Sequence, residues 1–186
     1  MIKIGVVGSS ESKIIKDIII TLINITDMSI KEVKEEDYSN DENYNVDIII
    51  IFLDIDNTKI EEKFNILLLN AEKDYRHQNK LIQKLETEDF LIVDADDSNL
   101  FNDIIFGNGT VITCGFNHKA CVTTSSIVDN QQKIIQICIQ RSFKTINNKM
   151  VNQQEFSVNL TNNDGKVYNI LSAVTAVLMC GINIED

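Results

Sequence analysis

The chain has 186 residues, enough for one ordinary domain and too few for two, and its 44% apolar and 24% charged residues supply a core and exclude wholesale disorder. Its 28 acidic residues outnumber 17 basic ones for a net charge of −11, which argues against nucleic-acid binding and against an anionic membrane surface, since both call for a basic face. The first ten residues carry no apolar signal core with a small-residue cleavage site, and no apolar run approaches the ~18 residues of a membrane span, so a soluble cytoplasmic protein is expected.

Residues 1–7 form a short apolar run closed by Gly8 and read as a buried strand. Ser9 and Ser10 are placed to cap the helix that follows, in which Ile14, Ile15, Ile18, Ile19, Leu22 and Ile23 recur at helical spacing. Residues 31–45 are acidic and polar and predict a solvated loop around a short edge element. Residues 46–53 give the clearest buried strand in the chain, and 64–69 another. Residues 72–86 predict a charged helix with Leu81, Ile82 and Leu85 as its apolar stripe. A fourth strand at 90–93, a short helix at 100–106 and a fifth strand at 111–114 follow. Strands alternating with helices predict a parallel sheet covered on both faces.

The pattern changes near Gly115. Residues 120–128, 133–141 and 154–160 alternate as strands, with a hairpin turn at 129–132. A turn at 162–165 precedes an apolar helix at 167–179, ended by Gly181. The expected fold class is α/β, a mostly parallel sheet flanked by helices with a small antiparallel sheet appended. Residues 1–186 are expected to form one domain, with the antiparallel part at about 116–161.

Candidate chemistry is sparse. Cys114, Cys121, Cys138 and Cys180 are far apart and form no C-x-x-C pair, so reduced thiols packing as small hydrophobes are expected. His77 and His118 stand alone, with no neighbour to make a ligand pair or a nucleophile's base. The turn after the first strand should present helix N-terminal amides where α/β folds often hold phosphate. Its residues, Gly8, Ser9, Ser10, Glu11, Ser12 and Lys13, match neither a dinucleotide fingerprint nor a working P-loop.

Four stretches in order carry a resemblance across nearly the whole chain. Residues 7–13 lie where G-T-N-G-K-T would stand, 64–75 look like F-D-x-x-x-x-T-N-x-x-x-D-H, 93–97 look like V-N-A-D-D, and 165–173 look like G-K-H-N-V-Y-N-I-L-A-A. With these motifs the chain resembles the central, ATP-binding domain of the Mur ligases, nearest the UDP-N-acetylmuramyl-tripeptide synthetase branch, a domain that folylpolyglutamate synthetases share. The resemblance implies a P-loop-like α/β fold, a link to cell-wall precursor (peptidoglycan) ligation, and ATP with magnesium as cofactors. It places the nucleotide at Gly8, Ser9, Ser10, Lys13 and Asn169, and a metal ligand at Asp74. It does not extend to the family's N-terminal UDP-substrate domain or its C-terminal domain.

Against that pattern, Glu11 replaces the second P-loop glycine and Ser12 the phosphate-binding lysine, with Lys13 one place late. A carboxylate beside a phosphate adds repulsion of roughly 4 kcal/mol per charge pair at 4 Å. The family's magnesium-binding glutamate falls near Phe52, with Asp54 and Asp56 out of register, and Tyr75 stands in place of a histidine ligand. The histidine and first asparagine of the last motif are absent, leaving Asn169 as the polar group by the adenine. Phosphoryl transfer relies on lysine and metal to neutralise charge, so the ligase reaction is expected to be lost, no catalytic residue is assigned, and the chain is expected to act as a binding or assembly module for another protein or a second copy of itself. Two alternatives stay open: a nucleotide-binding protein with residual hydrolase or regulatory activity, and the central part of a split amide ligase. Without such roles, Gly8, Ser9 and Ser10 suit a helix cap, Asp74 a helix-start acid, Asn169 a cap of the last helix, and Asp94, Asp96 and Asp97 solvated loop positions.

Overall fold

A computed structural model describes residues 1–9, 12–39, 44–54, 62–70, 78–98, 100–129, 133–160 and 166–184. Ser10, Glu11, Asp56, Asp74, Tyr75, His77 and the turns at 130–132 and 161–165 lie outside the described residues.

In chain order the elements are β1 (Ile2–Gly8), α1 (Lys13–Asn24), β2 (Ile30–Val33), β3 (Ile48–Asp54), β4 (Ile66–Asn70), α2 (Asn79–Ile82), β5 (Phe90–Asp94), α3 (Leu100–Asp103), β6 (Thr110–Cys114), β7 (Val122–Asp129), β8 (Lys133–Ile139), β9 (Phe143–Lys144), β10 (Met150–Val151), β11 (Gln154–Leu160) and α4 (Val167–Met179). Nine strands form one sheet in the order β11-β8-β7-β6-β5-β4-β1-β3-β2. Pairing is parallel from β2 across to β7 and antiparallel for β7-β8 and β8-β11. The fold is therefore α/β with a mostly parallel sheet, as the alternating pattern predicts. The antiparallel strands join the parallel sheet through a single register pair, Cys114 with Val122. A separate two-stranded antiparallel sheet is made by β9 and β10.

The continuous apolar runs have a simple cause, burial on both faces. Along β3, Ile48 and Ile50 join one core while Ile49, Ile51 and Leu53 join the other. The first core packs against α1 and α4, the second against residues around α2 and α3, with Leu81, Leu85, Leu100 and Ile104 filling it. α4 is buried from Asn169 to Met179, which fits its lack of any charged residue.

Three expectations need correction. α1 begins at Lys13 with Ser12 at its N-cap position, one turn later than a cap at Ser9 or Ser10 implies; the Ser9 carbonyl accepts the Ser12 N–H at 2.9 Å. The helix expected at 72–86 is a single turn, Asn79–Ile82, among the described residues, and α3 spans only Leu100–Asp103. Lys16 interrupts the apolar face of α1 yet is buried, because its ammonium lies 2.5 Å from Glu32 on β2 and 3.3 Å from Asp17. Burial pulls that ammonium's pKa down, but the two carboxylates outweigh it and the net shift is upward.

Core position and surface position should separate cleanly in denaturant. Ile50 is fully buried on β3 whereas Ile134 on β8 is 37% exposed. Ile50→Ala is expected to lower unfolding free energy by about 2–5 kcal/mol in urea titration, and Ile134→Ala by under about 1 kcal/mol.

Candidate functional site

Parallel α/β sheets present ligands at the carboxyl ends of their strands. Here that edge is set by Gly8 (β1), Asn70 (β4), Asp94 (β5) and Cys114 (β6), with the first turns of α1 and α4 above it.

Gly8 is needed for space. A Cβ at this position would fall 2.3 Å from Ser12 Oγ and 2.7 Å from the Asn70 carbonyl oxygen. The turn from β1 into α1 folds that tightly because Ser12, only 3% exposed, drives its hydroxyl inward. Ser12 Oγ donates to the Asn70 carbonyl at 3.1 Å and accepts from Asn70 Nδ2 at 3.2 Å. The same Asn70 amide also donates to Asn169 Oδ1 at 3.2 Å. One asparagine at the end of β4 thus ties the start of α1 to the first turn of α4. Next to it, the Tyr168 hydroxyl donates to the Leu69 carbonyl at 3.2 Å.

The nucleotide residues expected from sequence are therefore brought together only in part. Gly8 and Asn169 meet at this junction through Asn70 and Ser12. Ser9 is exposed, and Ser10 and the metal candidate Asp74 lie outside the described residues. Lys13 is exposed, and its ammonium sits 5.5 Å from the centroid of the Phe52 ring on β3. Asn169 does not cap α4: Lys166 holds the N-cap position, and the Asn169 side chain faces Asn70 instead. Asn70 itself is the organising residue that spacing did not single out. The signal was present, as an asparagine closing a buried strand within the T-N-like stretch.

A second polar group lies beside the first. Asp94 Oδ1 accepts the Asp96 N–H at 2.7 Å, and Asp96 Oδ2 accepts the Phe116 N–H at 2.6 Å. Gly115 passes between them with φ +151°, where a Cβ would sit 2.6 Å from Asp96 Oδ2. Burial pushes the Asp94 carboxyl up to about 6, with the Asp96 and Asp97 charges adding to it and the hydrogen bond from Asp96 N–H opposing. Cys114 Sγ lies 3.4 Å from Ser172 Oγ inside the core, and burial pushes its thiol up to about 12. Cys180 is raised to about 12 by burial too, so both thiols are inert packing groups. All four cysteines are free.

Among the described residues, those at the turn after β1 do not fit the group the resemblance implies. Ser12 at the lysine position is neutral and spends both halves of its hydroxyl on Asn70, and its side chain fills the space where a Cβ on Gly8 would lie. Among the described residues, no group of three or more His, Cys, Asp or Glu side chains is arranged to hold a metal ion. No described helix is long and apolar enough to cross a membrane.

No protein-family model matches the sequence, and no curated protein matches it. Solved structures do. The chain is similar to a UDP-N-acetylmuramoylalanyl-D-glutamyl-2,6-diaminopimelate–D-alanyl-D-alanyl ligase from Acinetobacter baumannii, with TM-score 0.73 and 11% identity over 100% of this chain and 44% of that one. It is similar to the MurF ligase of Thermotoga maritima, solved in complex with ADP, with TM-score 0.68 and 14% identity over 98% of this chain and 46% of that one. A third likeness is to the UDP-N-acetylmuramate:L-alanyl-gamma-D-glutamyl-meso-diaminopimelate ligase of Neisseria meningitides, with TM-score 0.64 and 9% identity over 98% of this chain and 63% of that one. The fold is that of part of a Mur ligase, and the chain spans less than half the length of the first two structures it matches.

The raised Asp94 carboxyl makes stability depend on pH with a definite sign. The folded state holds this proton up to about 6 while an ordinary aspartate releases it near 3.8, so the folded chain binds more protons between those values and stability falls as pH rises through that window. Asp94→Asn keeps Oδ1 as acceptor for the Asp96 N–H and removes the titration. Urea midpoints compared at pH 4, 5, 6 and 7 are expected to show the variant gaining on the wild type as pH rises; parallel profiles contradict it.

Proposed function

We propose that this chain is a Mur-ligase-like domain related to cell-wall precursor ligases, which has left phosphoryl transfer behind and serves as a binding or assembly module. The observation that supports it most strongly is Ser12. In the resembled family this position carries the lysine that meets the phosphates; here a buried serine is bonded twice to Asn70. Adjacent Lys13 does not substitute for it, since its ammonium rests over Phe52. Phosphoryl transfer is catalysed by positioning and charge neutralisation, and neither is supplied by a neutral hydroxyl already paired. Residues 1–186 are read as one unit that works in the cytoplasm.

A second reading, a domain that still binds nucleotide, draws on the junction that brings Gly8 and Asn169 together through Asn70. Calorimetric titration with ATP and a non-hydrolysable analogue, with and without magnesium, separates the two. The proposal expects flat heats at millimolar nucleotide and no change in Lys13→Ala. Saturable binding that weakens in Lys13→Ala would establish the second reading and overturn the first.

A further inference from the structure

The opposite end of the sheet holds a cleft of about 520 Å³, between the amino-terminal ends of β5 and β6 and the segment around β9. That volume lies within the roughly 300–1,000 Å³ typical of ligand sites. Phe90, Ile112, Phe143 and Ile146 line it; the first three are buried.

The cleft exists because β7 begins only at the level of Cys114, the last residue of β6, and so does not flank the amino-terminal part of β6. The two strands share only the Cys114–Val122 register pair, flanked by hydrogen bonds from Cys121 N–H to the Thr113 carbonyl at 2.8 Å and from Gly115 N–H to the Val122 carbonyl at 3.1 Å. Backbone direction along β6 then follows from alternation. The Thr110 N–H donates towards β5, to the Asp89 carbonyl at 2.9 Å, and the Cys114 carbonyl accepts from Ala95 N–H at 2.9 Å on that same side. Thr113 faces the other side, and so does Val111. The Val111 N–H and carbonyl thus point away from β5 towards the gap beside the amino-terminal part of β6, and neither meets a hydrogen-bond partner among the described residues. A donor and an acceptor side by side on an open strand edge are what an added strand pairs with.

Charge selects the occupant. Arg141 and Lys144 line the cleft against one acid, Glu88, and neither cation is ion-paired with an acid among the described residues. The Arg141 guanidinium is steadied by donating to the Lys119 carbonyl. We propose that the cleft binds an extended acidic segment of a partner protein, which adds as a strand against Val111 with its carboxylates towards Arg141 and Lys144 and its apolar side chains on Phe90 and Phe143.

This names the partner class for the binding role proposed above and rests on that reading. Because the cleft is at the end of the sheet remote from Gly8, a failed peptide titration leaves the nucleotide result untouched, and the two ideas fall separately. The probe is a blocked pentapeptide, acetyl-Val-Glu-Val-Glu-Val-amide, followed by hydrogen exchange of backbone amides in the full chain. Slowed exchange at Val111 is expected on binding, with affinity roughly tenfold weaker for the glutamine counterpart of the peptide and for exposed Lys144→Glu. Unchanged Val111 exchange at millimolar peptide overturns the proposal, as does equal affinity for the glutamine peptide. Val111 protection that rises with protein concentration without peptide also overturns it, by making a second copy the occupant.

Discussion

The carboxyl-terminal end of this sheet is held by the amide of Asn70. From the end of β4 it reaches Ser12 at the start of α1 and Asn169 in the first turn of α4, two helices joined to the sheet elsewhere by apolar packing, by the Lys16–Glu32 ion pair and by the Tyr168 hydroxyl on the Leu69 carbonyl. Each member is buried or half-buried, and an unmatched polar group in such a place costs about 1–3 kcal/mol. The three therefore constrain one another, and Gly8 is constrained with them because no Cβ fits beside Ser12. A long cation at position 12 would have to point out of this junction to meet a phosphate, whereas the serine closes it.

The chain has the fold of part of a Mur ligase, and this arrangement supports the proposal that it has left phosphoryl transfer behind. A fold depends on the two apolar faces of the sheet, which are buried across β1, β3, β4 and β5. Chemistry depends on a few polar residues at strand ends, where substitution leaves packing intact. The similar structures are only 9–14% identical to this chain, a level at which burial pattern survives and site residues need not.

Much of the architecture was legible because burial on both faces writes continuous apolar strands, and because α1 repeats its isoleucines at helical spacing. The last helix was equally plain, with Gly181 at φ +80° closing it as a left-handed terminator. What stayed hidden depends on distance along the chain or on very short elements. Asn70 and Asn169 are 99 residues apart, and nothing local to either says that they touch. The β9–β10 ribbon offers two residues a strand, too few for any period, turned by Asn148 at φ 58°. The cleft beside it assembles residues from 87–90, 110–112 and 141–148, and the late start of β7 that opens it leaves no mark on composition. Lys16 was concealed for another reason, since its carboxylate partner stands on a neighbouring strand.

The central claim is that the Ser12–Asn70–Asn169 junction is closed in the working protein and does not open for a nucleotide. Two-dimensional NMR of the ¹⁵N-labelled chain during titration with ATP and magnesium observes it directly, through the side-chain amides of Asn70 and Asn169 and the backbone amides of Gly8 and Ser12. The account predicts that these signals hold their positions up to millimolar nucleotide. Saturable shifts confined to these four residues would contradict it and restore the junction as a nucleotide site.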